Sequence, residues 1–252
     1  MALTQQQQHW RRFYNDFGYV RLPGLFREEA DWISEEFEKV FQQNGITHDG
    51  TKRTGCGYLV ESSERLCTLL DDDRLDSVFV AILGEEYNFL GSAGELYVGD
   101  GMWHPDGVFH ILSQAKLAMY LDPLTPETGS LRVVPGSHLQ NWEGNLDTQA
   151  LWGISDYEMP YASYRNTPGD VLIFNLNTLH NSLGGGYRRR MLNMGLTAHA
   201  ETPEQVTWLK RAFSGGGELY SDIMLKTASP RVMSHLRQPL ELSGQLSAPT
   251  QT

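Results

Sequence analysis

Positive charge is scarce in this chain. Twenty Lys and Arg stand against 31 Asp and Glu, a formal net charge of −11, whereas a protein that tracks phosphate backbones needs clustered cations to displace counterions. Nucleic acid is therefore not an expected partner. The densest basic run, Arg188-Arg189-Arg190, is too short for a nucleic-acid face and points to a local role. Long hydrophobic runs are missing as well. No stretch approaches the roughly 20 apolar residues that cross a bilayer, and no early segment carries the charged start, apolar run and small-residue cleavage site of a secretion signal. We expect no membrane association and a cytoplasmic location. Cysteine is limited to Cys56 and Cys67, which in such a chain are expected to be reduced thiols acting as small packing residues. No internal repeat is present.

What remains is the composition of an ordinary globular domain: 252 residues, 40% of them hydrophobic. We expect residues 1–242 to form a single domain and the small, polar residues 243–252 to be a disordered tail. At the start, Thr4 with Gln7 makes a capping box, Trp10, Phe13 and Tyr14 recur at helical spacing, and Gly18 ends the pattern. Tyr19-Val20-Arg21-Leu22 alternates like a short strand. A second helix is predicted from Glu28 to Phe41, burying Ala30, Ile33, Phe37 and Phe41. Gln42 to Tyr58 lacks periodicity and reads as an irregular loop of the kind that forms lids.

From Tyr87 to His199 short apolar runs alternate with turn clusters. Leu96-Val98, Lys116-Leu121, Ser130-Val134, Val171-Phe174 and Met191-Ala198 have strand length and composition. Together they predict a mainly β fold with flanking helices, a jelly-roll barrel, since the long helices of a doubly wound parallel sheet are not there. Thr202-Pro203-Glu204-Gln205 supplies a cap, a first-turn proline and a capping-box glutamine for a helix from Glu204 to Phe213, and part of Leu219 to Arg237 is helical too.

Three features carry chemistry. In Trp103-His104-Pro105-Asp106-Gly107, residues two apart in an extended segment point the same way, so His104 and Asp106 can converge. An imidazole and a carboxylate are two-thirds of the facial triad that binds iron(II) and leaves three positions open, although the same tripeptide also occurs in surface turns. His180 comes just after the buried strand Val171-Leu172-Ile173-Phe174, at the mouth of a barrel, where it either completes such a triad or sits as a hydrogen-bonded rim histidine. The arginine cluster opens the next strand. A guanidinium there suits bidentate capture of a carboxylate, and a solvated strand end is the plainer alternative.

His104-Pro105-Asp106, then Gly129-Ser130-Leu131-Arg132-Val133-Val134-Pro135-Gly136-Ser137-His138, then Pro168-Gly169-Asp170-Val171 with His180 and Arg189, resemble the phytanoyl-CoA dioxygenase-like family of iron(II)/2-oxoglutarate oxygenases. Asp16-Phe17-Gly18-Tyr19-Val20 ahead of Leu22 resembles that family's opening. The likeness runs from about Phe13 to Ala198 and keeps the motifs in family order. It implies a double-stranded β-helix, with His104, Asp106 and His180 as ligands of Fe(II). It also implies that an arginine after the distal histidine, matched better by Arg189 than by Arg188 or Arg190, grips the far carboxylate of 2-oxoglutarate, with Ser182 assisting. His138 belongs to a structural turn in the family and is not expected to bind metal.

The implied reaction consumes 2-oxoglutarate and O2, releases succinate and CO2, and hydroxylates a small-molecule metabolite. Halogenating members replace the carboxylate ligand by a small residue, so Asp106 favours hydroxylation or a related oxidation. Trp103, Tyr97, Phe109 and Met119 flank the site in sequence and are candidates for the substrate cavity as well as for ordinary core. The competing class is a barrel or sensor that binds metal and 2-oxoglutarate without turnover, and succinate formation separates the two.

Overall fold

The computed structural model describes residues 2–107, 111–213 and 217–246. Helix α1 (Gln5–Phe17) starts on its capping box: Thr4 Oγ1 accepts from the Gln7 N–H at 3.2 Å, and the Gln7 side chain accepts from the Thr4 N–H at 3.0 Å. It stops at Gly18, whose φ of 82° turns the chain into β1 (Tyr19–Leu22). Helix α2 (Ala30–Gln43) buries Ala30, Ile33, Phe37, Val40 and Phe41. It runs two residues later at each end than its apolar spacing predicts.

The stretch from Gln42 to Tyr58 is not all loop. It contains β2 (Thr54–Gly57), antiparallel to Leu96–Ala93. Two glycines in four residues leave no alternation to read, and the neighbouring strand imposes the pairing. Helices α3 (Glu64–Cys67) and α4 (Asp73–Leu83) follow, the second capped by Asp72, which accepts from the Arg74 N–H at 2.9 Å. The remaining strands are β3 (Asn88–Tyr97), β4 (Gln114–Tyr120), β5 (Arg132–Val133), β6 (Ala162–Ser163), β7 (Val171–Asn175), β8 (His180–Asn181) and β9 (Arg189–Thr197), with α5 (Thr148–Trp152) between β5 and β6. Three helices close the chain: α6 (Pro203–Ala212), starting on the Thr202/Gln205 capping box, α7 (Asp222–Thr227) and α8 (Pro230–Leu242). At the start of the expected tail, after α8, the N–H groups of Ser243 and Gly244 donate to the carbonyls of Pro239 and Glu241, and those of Gln245 and Leu246 to that of Leu240. Residues 247–252 lie outside the described residues.

The strands make the two antiparallel sheets of a double-stranded β-helix, one of order β1-β7-β4-β9-β3-β2 and one of order β6-β5-β8. Period-two alternation gives the large sheet two faces. Ala115, Leu117 and Met119 of β4 and Leu192, Met194 and Leu196 of β9 join a buried cluster with Ile33, Phe37, Leu75, Val78 and Leu236 from the helices. Tyr120, Phe174 and Met191 pack on the opposite side with Val133 of the small sheet. Each fully buried leucine on the helix side contributes roughly 1.5–3 kcal/mol. The helices sit close: a Cβ at Gly94 would lie 2.6 Å from the Phe41 ring and 2.9 Å from that of Phe37. Cys56 and Cys67 are buried, unpaired thiols, as expected.

Candidate active site

His104 and Asp106 lie on the connection between β3 and β4, which borrows its regularity from the chain beyond β7. The His104 N–H donates to the His180 carbonyl at 3.2 Å, and the His180 N–H donates back to the His104 carbonyl at 3.0 Å. Two residues on, the N–H groups of Asp106 and Gly107 both donate to the Leu176 carbonyl, at 2.7 and 2.9 Å. Backbone pairing thus brings together three side chains 76 residues apart in sequence at the extremes, 104 to 180. Alternation sends Trp103 the other way, into a buried cluster with Leu146, Met159 and Leu179.

Both imidazoles are oriented by the backbone. His104 Nδ1 is 2.7 Å from the Met102 carbonyl, and His180 Nδ1 is 2.9 Å from that of Thr178. A carbonyl only accepts, so Nδ1 carries the proton in each ring and Nε2 offers its lone pair to the site. His104 Nε2 lies 3.7 Å from Asp106 Oδ1, and His180 Nε2 lies 3.5 Å from Asp106 Oδ2. One ligand atom from each of the three residues lies within 4.8 Å of the others, a group that can hold a metal ion. Burial opposes charge on Asp106, but His180, Lys116 and His104 outweigh it and hold the carboxyl down at about 2. Burial drives the His180 imidazole down to about 4 against the pull of Asp106. At neutral pH Asp106 is ionised and His180 neutral, the forms in which both bind metal. Two nitrogens and one carboxylate on one side of an open space are the donor set that suits iron(II).

The three side chains open into a cavity of about 450 Å³ that is also lined by Arg189, Ser182, Tyr120, Tyr97, Arg53 and Lys116. Strand parity separates the arginines. Arg188 pairs with exposed Glu38, and Arg190, on the helix side, pairs with Asp122 and Glu38. Arg189 faces the cavity and has no carboxylate within 4.0 Å among the described residues. Its Nη2 donates to the Gly99 carbonyl at 2.7 Å, its Nη1 to that of Gly129 at 3.3 Å, and its buried Nε has no hydrogen-bond partner. Glycines make room for it: a Cβ on Gly129 or Gly185 would lie 2.0 Å from Nη1. Beside it, Ser182 Oγ and the Tyr120 hydroxyl are 3.0 Å apart. A buried guanidinium with an unsatisfied donor and two hydroxyls nearby fits a dicarboxylate co-substrate.

The structure therefore brings together all five residues singled out from the sequence: His104, Asp106, His180, Arg189 and Ser182. Tyr97 lines the cavity. Trp103 and Met119 do not, because each has the wrong parity, and Phe109 lies outside the described residues. His138 is apart from the cluster, its Nε2 3.0 Å from the Asn15 carbonyl. Sequence reasoning missed Lys116, Tyr120 and Arg53. For the first two the signal was available: with the odd positions of β4 apolar, its even positions turn toward the site.

The family model for phytanoyl-CoA dioxygenase (PhyH) matches residues 14–191. No curated protein shows significant sequence similarity to the chain. Among solved structures, the non-heme alpha-ketoglutarate-dependent carbocyclase SnoK from nogalamycin biosynthesis is similar at 19% identity and a TM-score of 0.62, over 78% of this chain and 85% of that one. EctD from S. alaskensis, solved with 2-oxoglutarate and 5-hydroxyectoine, is similar at 21% and 0.62, over 78% and 76%. HygX from Streptomyces hygroscopicus, solved with nickel and 2-oxoglutarate, is similar at 21% and 0.61, over 80% and 89%. At these identities the likeness speaks for a shared fold.

Proposed function

The chain belongs to the phytanoyl-CoA dioxygenase family, and from that premise we propose that it hydroxylates a small-molecule metabolite at a centre held by His104, Asp106 and His180. It is an Fe(II)/2-oxoglutarate-dependent dioxygenase. The observation that carries the site assignment is the convergence of two backbone-oriented Nε2 lone pairs and one carboxylate on a common space.

Iron(II) held by these residues would activate O2, the oxidant, one atom of which goes to the substrate and the other to 2-oxoglutarate, which leaves as succinate and CO2. The protein's part is orientation. Arg189 receives the far carboxylate of 2-oxoglutarate, with Ser182 and Tyr120 offering hydroxyls beside it, so that the other end of the co-substrate reaches the metal. The walls of the cavity keep water from the reacting atoms and align the substrate. Asp106 as third ligand supports oxygen transfer over halogenation, because it fills the place a halide would need. In this reading residues 1–242 act as one domain in the cytoplasm, without nucleic acid or membrane. The charge of −11 supports the first exclusion, and among the described residues no helix is long and apolar enough to cross a membrane.

Succinate formation from 2-oxoglutarate with iron(II) and ascorbate tests the reading, screened against a metabolite panel for stimulation. Anaerobic addition of 2-oxoglutarate to the iron(II) protein is expected to give a weak visible charge-transfer band that His104→Ala and His180→Ala abolish. Arg189→Ala is expected to weaken 2-oxoglutarate binding by about 100-fold or more, as loss of a partly buried charge-assisted contact, and Arg190→Ala is not. A band without succinate under any condition would favour the non-catalytic sensor.

A further inference from the structure

Lys116 lies in the middle of β4 on the cavity face, between Phe174 of β7 and Gly195 of β9. Gly195 brings no side chain to crowd its stem. The ammonium donates to Asp106 Oδ2 at 2.9 Å, and the Lys116 side chain is 20% exposed. Among the described residues Asp106 Oδ1 has no such donor: the N–H groups of Asp106 and Gly107 are engaged by the Leu176 carbonyl, and the nearest ring nitrogen, His104 Nε2, is 3.7 Å away. The two oxygens of this carboxylate are therefore unequal before any ligand arrives. That inequality bears on the metal. A carboxylate binds a cation through one oxygen or two, and a second bound oxygen takes a position that a two-point chelating co-substrate needs. An ammonium hydrogen-bonded to one oxygen competes for it.

We infer that Lys116 is a positioning residue that holds Asp106 Oδ2, confines Asp106 to one-oxygen ligation through Oδ1, and so keeps the adjoining position open for 2-oxoglutarate. This rests on the reading of His104, Asp106 and His180 as the metal ligands. The arrangement uses the large sheet to steady a ligand carried by a connecting segment. Lys116 is fixed by strand pairing on both sides, whereas the backbone of Asp106 is held by its N–H bond to the Leu176 carbonyl.

The test is an anaerobic titration of wild type, Lys116→Met and Lys116→Arg, first with iron(II) and then with 2-oxoglutarate, read by affinity and by the position of the visible band. For Lys116→Met, iron affinity is expected to stay within about threefold while 2-oxoglutarate affinity falls about tenfold or more, the scale of outer-shell effects on a metal site. The band is expected to shift, because Asp106 then ligates differently. Lys116→Arg keeps a donor on Oδ2 and is expected to restore both affinity and band. Should Lys116→Met fail to fold, Lys116→Gln carries the same comparison. Unchanged 2-oxoglutarate affinity overturns the inference. So does weakened affinity with an unshifted band, which would mean attraction by charge alone, and so does joint loss of iron and band. Retention of iron by His180→Ala, run in parallel, would instead overturn the ligand set and leave Lys116 to be reassigned with it.

Discussion

The two sheets hold their residues in place by different means. Strands of the large sheet reach ten residues, and its helix side lies in one continuous apolar cluster. Position there follows from burial. The small sheet has three strands of two residues each, far below what is stable alone. Hydrogen bonds tie the segments that flank it: the Leu179 N–H donates to Ser137 Oγ at 2.9 Å and the Val134 N–H to the Leu179 carbonyl at 2.9 Å, while His180 within the sheet exchanges bonds with His104. Burial has no direction and hydrogen bonds do. The large sheet therefore carries most of the packing, and the bonds at the small sheet set the spacing of the two site histidines.

That division is open to attack from either side. The largest effect is expected for His180→Ala, which removes a proposed ligand from the small sheet. Iron affinity should fall by more than about 100-fold, while the urea midpoint of the metal-free protein moves little. A variant that unfolds would show that the small sheet supports the fold as well. The reverse experiment is Leu117→Ala in the large sheet, where the side chain is fully buried against the helices. A loss of about 2–5 kcal/mol in urea unfolding is expected, with iron affinity unchanged in the protein that remains folded.

A polar group within the packed region sharpens the contrast. Glu61 is buried beside β3, accepts from the Ser92 N–H at 3.0 Å and meets the Ser92 hydroxyl, and burial pushes its carboxyl up to about 7. The folded state thus holds a proton there that the unfolded chain, with an ordinary carboxyl near 4.5, has already released. Stability should fall as pH rises from about 4.5 to about 7, by about 3 kcal/mol at most, and level off above. Glu61→Gln should remove that component from the pH dependence of unfolding, and an unchanged slope would refute it. The smallest effect is expected for Arg188→Ala. Its exposed ion pair with Glu38 is worth less than about 1 kcal/mol, and 2-oxoglutarate affinity should change by less than about twofold. A larger loss of affinity would mean that strand parity is not what selects Arg189.

What could be read from the chain follows the same division. Elements with their own local code were legible: the boxes at Thr4/Gln7 and Thr202/Gln205, the stripe Ile33-Phe37-Phe41, and strands β4, β7 and β9 of the large sheet, whereas β3, with Gly91 and Gly94 interrupting it, was legible only at Leu96-Tyr97. The His104, Asp106, His180 and Arg189 constellation was legible because motif order survives where strand length does not. Strand β2 was not, since Gly55 and Gly57 show no side-chain alternation, and the two-residue strands β6 and β8 exist only through their partners. Trp103 and Met119 fall to the ordinary-core alternative, because parity turns both away from the cavity. Lys116 was overlooked because a lysine on a half-buried strand has no meaning until Asp106 is seen beside it.

The reciprocal backbone bonds between His104 and His180 make the spacing of the two imidazoles a property of the peptide ladder itself. An ion gripped by both rings would rivet the seam at which the β3–β4 connection meets the small sheet. Rivets matter most where a structure is thinnest, and ligand binding to the native state slows local opening of the segment that supplies the ligands. Hydrogen exchange at the amides of His104, His180 and Val134 should then slow when iron(II) or nickel(II) is added.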